Sequence, residues 1–327
     1  MINEQRLLNT FLELVKIDSE TGNESTIQPI LKEKFIALGL DVKEDEAAKH
    51  PKLGANNLVC TMNSTIEEGE VPKLYLTSHM DTVVPAINVK PIVKDDGYIY
   101  SDGTTILGAD DKAGLAAMLE VLQVIKEQQI PHGQIQFVIT VGEESGLIGA
   151  KELNSELLDA DFGYAIDASA DVGTTVVGAP TQMLISATNI VADEVILEAE
   201  ARSHDPERIK TQVKHMTDVF ETTASELGGK AVVTVEQSYP GFKINDNETV
   251  VKIAQESARN LGLSANTIIS GGGSDGSIIN TFGIPSVILG VGYEKIHTTN
   301  ERMPIKSLNL LASQVLEIIK IVARQSK

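Results

Sequence analysis

Apolar positions along the chain fall into two rhythms. Near the start, Leu7, Leu8, Phe11, Leu14 and Val15 recur at the spacing of one helix face, and Asn3 stands where a cap belongs. A second helix is expected from near Asn23 to Gly39. Short apolar runs at 57–61, 73–77, 134–141 and 162–166 read instead as buried strands, and the Ala-, Leu- and Met-rich stretch from Asp111 to about Glu127 reads as a helix between them. The alternation predicts an α/β fold: a mixed sheet with helices on both faces, and polar groups available where strands end and loops begin.

Between Pro180 and Pro240 the texture changes. Val195, Leu197, Ala199 and Ala201 alternate as in a half-exposed strand. Ile209, Val213, Met216, Phe220, Ala224 and Leu227 make one apolar stripe on a helix capped by Asp205 and Pro206, and 231–235 supplies another strand. After Pro240-Gly241 the first pattern resumes, with a helix from Glu248, a strand at 267–270, a Gly-rich turn, a strand at 286–289 and a closing helix from Ser307. The expected organisation is one discontinuous domain, 1–179 and 241–327, interrupted by a small α+β lobe at 180–240.

A length of 327 residues exceeds what a single core usually covers, which agrees with two lobes. The formal charge of -19 opposes nucleic acid and anionic membrane as partners and favours small or cationic ones. Cys60 is the only cysteine, so neither an intramolecular disulfide nor a thiolate cluster can form, and any metal must sit on His, Asp and Glu. The first residues carry no basic segment followed by an apolar one, and no stretch is long enough to span a bilayer, so the expected location is the cytoplasm.

Acids and imidazoles recur where apolar runs stop. Ser78-His79-Met80-Asp81 follows one strand, and residues two apart in extended chain share a side, so Asp81 can orient His79. Asp110-Asp111 opens the Ala-rich helix; Asp111 can serve there as an N-terminal cap, while Asp110 is free to project both oxygens. Glu143-Glu144 ends another strand, and two neighbouring glutamates in a dry site need a compensating cation, which suggests that one ligates and the other moves protons. Asp167 ends a further run, and His297 follows the last strand. Oxygen and imidazole donors together suit zinc. His50, His132, His204 and His215 have no such context and are expected to be solvated.

His79-x-Asp81, the run Gly108-Ala109-Asp110-Asp111-Lys112-Ala113-Gly114, Glu143-Glu144, Asp167 and His297 resemble, in order and context, the peptidase T-like metallopeptidases of the aminoacylase and glutamate carboxypeptidase clan. The resemblance spans essentially the whole chain. It implies two divalent metal ions, zinc by preference: His79 and Asp167 on one, Glu144 and His297 on the other, Asp110 between them, Asp81 behind His79, and Glu143 as general base. It implies a cis peptide after Asp110. It also implies that the turn Ser270-Gly271-Gly272-Gly273-Ser274-Asp275-Gly276, with Gly272, lies near a substrate carboxylate that Arg202 clamps. The activity implied is hydrolysis of an amide bond in a short peptide, as in a tripeptide aminopeptidase. Hydrolysis of N-acyl amino acids would use the same metals, and metal binding with little catalysis is the third reading.

In one respect the chain departs from that pattern. Relatives carry a lid of four strands and two helices, and here only one helix and about three strands are legible. The run Gln182-Met183-Leu184-Ile185-Ser186-Ala187 resembles the first lid strand, yet Thr188-Asn189-Ile190-Val191-Ala192-Asp193-Glu194 already resembles the lead into the third. The missing piece would bring a His-Ala-Gly-like segment to the active site and contribute to the family homodimer. Intact metal binding, reduced peptidase activity and an altered or absent dimer are therefore expected.

Overall fold

The structure, a computed structural model, describes residues 1–67, 71–189 and 195–325. In chain order the elements are α1 (Glu4–Leu14), α2 (Ile27–Ala37), β1 (Asp41–Glu44), β2 (Leu58–Met62), β3 (Leu74–His79), β4 (Ile92–Val93), β5 (Tyr98–Tyr100), α3 (Ala109–Gln128), β6 (Ile135–Thr140), α4 (Ile148–Glu152), β7 (Phe162–Ala168) and β8 (Thr175–Ala179). There follow β9 (Thr181–Asn189), β10 (Val195–Ser203), α5 (Pro206–Glu226), β11 (Ala231–Tyr239), β12 (Phe242–Lys243), α6 (Thr249–Asn260), β13 (Thr267–Ile269), α7 (Asp275–Ile279), β14 (Ser286–Gly290), β15 (Arg302–Pro304) and α8 (Ile305–Val322). The chain divides into two compact units, one of 1–177, 244–268 and 274–327, the other of 178–243 and 269–273.

The large unit is built on a mixed sheet in which β6, β3, β7 and β14 run parallel side by side, while β2 and β8 join antiparallel at either side of that group. Side chains alternate across it, as the two-residue period of a strand requires. Leu58 and Cys60 of β2, Leu74 and Leu76 of β3, and Ile135, Phe137 and Ile139 of β6 face the main core with α1, α2, α3, α6 and α8. Val59, Tyr75 and Val138 face the other way, against Leu153 and Ile279. Burial on both faces explains why β3 and β6 read as unbroken apolar runs. Parallel strands also place all their carboxyl ends on one edge, and the residues that follow β3, β6, β7 and β14 meet there.

Helix starts follow local chemistry. The Asn3 side chain accepts the Arg6 N–H at 3.1 Å, and Leu7, Phe11 and Leu14 of α1 are buried, as the periodicity predicts. Arg6 then reaches α3 through Glu120, a carboxylate shielded from water. The second helix begins at Ile27, four residues later than Asn23, and α3 starts at Ala109 with a break at Asp110 and Asp111, both outside helical geometry.

In the small unit β10, β9 and β11 form an antiparallel sheet with β9 in the middle. The Asp205 side chain accepts the N–H groups of Glu207 and Arg208, Pro206 opens α5, and Ile209, Val213, Met216 and Phe220 pack on Ile185, Ala199 and Ala201. One helix does not cover this face. Val195 and Leu197 of β10, Val219 of α5 and Leu227 just after it stay exposed around an apolar cleft of about 380 Å³. Of the segment expected to lead into the third lid strand, 190–194 lies outside the described residues.

Asn57 ties the β6 end to α4: its Oδ1 accepts the Val141 N–H, and its Nδ2 donates to the Gly149 carbonyl at 2.8 Å and to Asp45. A Cβ on Gly149 would lie 1.9 Å from the Val141 carbonyl oxygen and 2.8 Å from Asn57 Oδ1. Gly149→Ala should therefore destabilise the fold by about 3 kcal/mol, read as a lower urea midpoint at unchanged slope.

Candidate metal centre

His79, the last residue of β3, is buried, with Nε2 3.2 Å from Asp110 Oδ1 and 3.9 Å from Asp167 Oδ1. His297 approaches from the segment after β14, with Nε2 3.2 Å from Asp110 Oδ2 and 3.1 Å from Glu144 Oε2. Two imidazoles thus flank a single carboxylate, each at its own oxygen. Ligand atoms of His79, Asp110 and Glu144, and likewise of His79, Asp111 and Asp167, come close enough to share a cation. Asp111 also caps its helix, accepting the Gly114 N–H at 3.2 Å, so the capping role expected of it coexists with a place at the cluster. The Asp110-Asp111 peptide is cis.

Asp81 does more than stand behind His79. The imidazole Nδ1 lies 3.0 Å from the Asp81 backbone carbonyl and 3.4 Å from its carboxylate. That carboxylate accepts the backbone N–H groups of Glu143 and Glu144, at 3.0 and 3.3 Å, and the Thr21 hydroxyl at 2.7 Å. It therefore fixes the turn that presents both glutamates. Burial opposes the charge on Asp81, but its contacts with His79 and Thr21 outweigh it and hold the carboxyl below its usual range.

Asp110 is held low as well, because its contacts with His297 and His79 outweigh burial, but Glu143, Glu144 and Asp167 are pushed the opposite way. Withdrawal from water, then the Asp167 charge, raises Glu143; withdrawal, then the Asp110 charge, raises Asp167; and withdrawal raises Glu144 despite its contact with His297. Contacts with Asp110 and Glu144 push His297 up to about 10, and His79 is raised well above its ordinary value because Asp110 and Asp81 outweigh the effect of burial. The cluster thus favours positive charge at its centre. Two divalent cations would supply it, offsetting the carboxylates of Asp110, Asp111, Glu144 and Asp167 that come together there. Glu144 Oε1 is buried without a hydrogen-bond partner, as a ligand atom would be. The residues fit a pair of divalent metal ions, and the protonated imidazoles of His79 and His297 would release protons on binding them.

Glu143 differs from its neighbour. Among the described residues, no hydrogen bond holds its carboxylate, and it belongs to neither ligand set.

Several participants gave no sequence signal as single residues. Glu301, buried, accepts backbone N–H groups at 107, 108 and 110. The Tyr293 hydroxyl donates to Asp167 Oδ1 at 3.1 Å. Asp275, whose pKa burial pushes up to about 6, accepts from Thr140, which pairs with His79 across the sheet.

In the small unit, Arg202 donates to the Gly271 carbonyl at 3.1 Å and forms an ion pair with Glu200, so its guanidinium already holds one carboxylate. The Gly272 N–H donates to Ser270 Oγ and the Gly273 N–H to Tyr239, so these amides of the Gly-rich turn are already partnered. His132, expected to be solvated, is instead buried: its ring nitrogen lies 2.8 Å from the Gly133 carbonyl, and burial lowers its pKa. An apolar setting with one backbone acceptor suffices to keep a neutral imidazole inside.

The chain is similar to several known proteins. A crystal structure of a tripeptidase from Staphylococcus aureus subsp. aureus Mu50 superposes with a TM-score of 0.95 at 84% identity, over 99% of this chain and 100% of that one. A crystal structure of aminopeptidase PepT from Bacillus cereus ATCC 10987 gives 0.90 at 44% identity, over 99% and 100%. The uncharacterized protein YqjE of Bacillus subtilis strain 168 is 46% identical over 375 aligned positions, 99% of this chain and 100% of that protein. Those 375 positions exceed the 327 residues here by 48, so at least that many have no counterpart in this chain. The model of peptidase family M20/M25/M40 matches residues 75–320, a span that contains His79, Asp110, Glu143, Glu144, Asp167 and His297, and this chain belongs to that family.

Proposed function

We propose that this protein is a di-metal exopeptidase that hydrolyses a terminal amide bond of short peptides, tripeptides first among them. The observation that carries the reading is Asp110, whose two oxygens lie 3.2 Å from His79 and 3.2 Å from His297. His79 and Asp167 would hold one cation, His297 and Glu144 the other, with Asp110 shared and zinc the ion such donors suit. Bound, such a pair lowers the pKa of water and polarises the scissile carbonyl.

Glu143 supplies the proton chemistry. Its carboxylate is free of hydrogen bonds among the described residues and is made more basic by withdrawal from water and by Asp167. It accepts a proton from the attacking water and delivers it to the departing amine. Asp81 keeps it in place through the backbone of Glu143 rather than through the side chain. In the small unit, the Arg202 guanidinium and the 270–273 turn are the groups we assign to the peptide carboxylate, Arg202 exchanging Glu200 for it.

We read the small unit as a lid lacking one helix and one strand. The excess of 48 positions in the longer relative and the uncovered sheet face around Val195 and Leu197 support that reading. A lid without its transition-state donor costs on the order of a hundredfold in rate, so turnover should be slow but real.

Two outcomes are expected. Glu143→Ala should retain both metal equivalents by elemental analysis while kcat falls by about 10²- to 10⁴-fold; full activity in that variant would remove Glu143 from the base role. Incubated with Ala-Ala-Ala and with acetylated amino acids, the wild type should cleave the tripeptide preferentially, lose this activity to a chelator and regain it with zinc. Preference for the acetylated substrates, or turnover indifferent to chelator, would count against the exopeptidase reading.

A further inference from the structure

At the start of α3, three backbone N–H groups converge on a carboxylate almost two hundred residues away in sequence. Glu301 Oε2 accepts from Leu107 and Gly108 at 2.8 Å each, and Oε1 accepts from Asp110 at 3.1 Å. The first N–H groups of a helix have no partner within it and usually find one in the side chain just before it. Here that position is Gly108, which has no side chain to offer and takes a left-handed φ of 76°. A remote residue therefore does the capping. Glu301 is 1% exposed, its carboxylate held by these three N–H groups, and the buried Lys112 ammonium, which donates to the Ile17 carbonyl, lies near enough to feel its charge.

A cap alone would not need to come from this segment. Glu301 lies four residues beyond His297 in a hydrogen-bonded turn: its N–H donates to the Thr298 carbonyl at 3.0 Å, and the Thr298 hydroxyl donates to the Lys295 carbonyl at 2.7 Å. Among the described residues, the hydrogen bonds and ion pairs that join this turn to the Asp110 turn are those of Glu301 and the His297–Asp110 contact itself. The Glu301 carboxylate joins the two turns independently of that contact.

We propose that Glu301 is a positioning residue that sets the distance between His297 and Asp110, and through it the binding of the second cation. The proposal rests on the di-metal reading above. His79 and Asp167, on β3 and β7, are held by the sheet itself, so the first cation should depend on Glu301 much less.

The isosteric variant Glu301→Gln separates positioning from capping. With its amide oxygen in the place of Oε2 it still accepts from Leu107 and Gly108, but its NH₂ then meets the Asp110 N–H and loses that bond. Apo protein would be titrated with Co²⁺, followed by visible absorbance and calorimetry. Wild type should bind two equivalents. Glu301→Gln should bind the first like wild type and the second about 10- to 100-fold more weakly, with turnover recovering at high cobalt. Its melting temperature in chelator should stay within a few degrees of wild type. Two equivalents bound by the variant at wild-type affinity would overturn the proposal, and so would a variant unfolded in chelator, since Glu301 would then serve the fold. Fewer than two equivalents in wild type would instead bring down the di-metal reading, and this proposal with it.

Discussion

The structure turns on one electrostatic constraint: carboxylates gathered out of water must meet positive charge. Two like charges 4 Å apart at an effective dielectric of 20 repel by about 4 kcal/mol; Asp110, itself held low by His79 and His297, raises Glu144 and Asp167, and Asp167 and Glu144 raise Glu143. Only a rigid frame keeps such groups together. The parallel strands β3, β6 and β7 provide it, because they are buried on both faces and deliver their last residues to one edge. The core is in that sense the support against which the site's repulsion is held, and which bound cations would neutralise.

How much of this could be read from the chain follows from where each interaction is recorded. Strands buried on both faces appear as apolar runs, so β3, β6, β7 and β14 were legible within a residue or two, and so were the acids and imidazoles at their ends. Interactions through backbone groups leave no such trace. Asp81 acts on the N–H groups of Glu143 and Glu144, and Glu301 on those of Leu107, Gly108 and Asp110; any residue at the donor positions except proline would offer the same group. The one clue to Glu301 was its place four residues after His297. The short strands β4, β5 and β15, two or three residues each, fall below the length at which a period can be recognised. His132 was misjudged for a related reason: what buries it is the fold around it, while its neighbours Pro131 and Gly133 look like an exposed turn.

The small unit obeys the same packing rules with fewer parts. A sheet of three nine-residue strands presents more apolar surface on one side than α5 can cover, and the excess is left at Val195, Leu197, Val219 and Leu227. Hydrophobic alternation on β10 thus continues past the part that α5 covers. The core beneath α5, from Ile185 to Phe220, still closes, which explains how the unit keeps its sheet with one side partly open.

The adjacent glutamates show how a small geometric difference becomes a chemical one. Both backbone N–H groups are tied to the same carboxylate, so the turn gives Glu143 and Glu144 nearly equal freedom to begin with. What separates them is the partner each side chain finds. Glu144 lies 3.1 Å from His297, which partly offsets the cost of withdrawing it from water, whereas Glu143 meets chiefly the charge of Asp167 and is raised further. Of two carboxylates both raised by withdrawal from water, the one less disfavoured in its charged form suits a ligand and the one more disfavoured suits a base. On the function proposed above, two identical residues in sequence would take opposite roles because one faces an imidazole and the other a carboxylate. The feature that makes each choice possible is the backbone anchor at Asp81, which spends no side-chain oxygen of either glutamate in holding them.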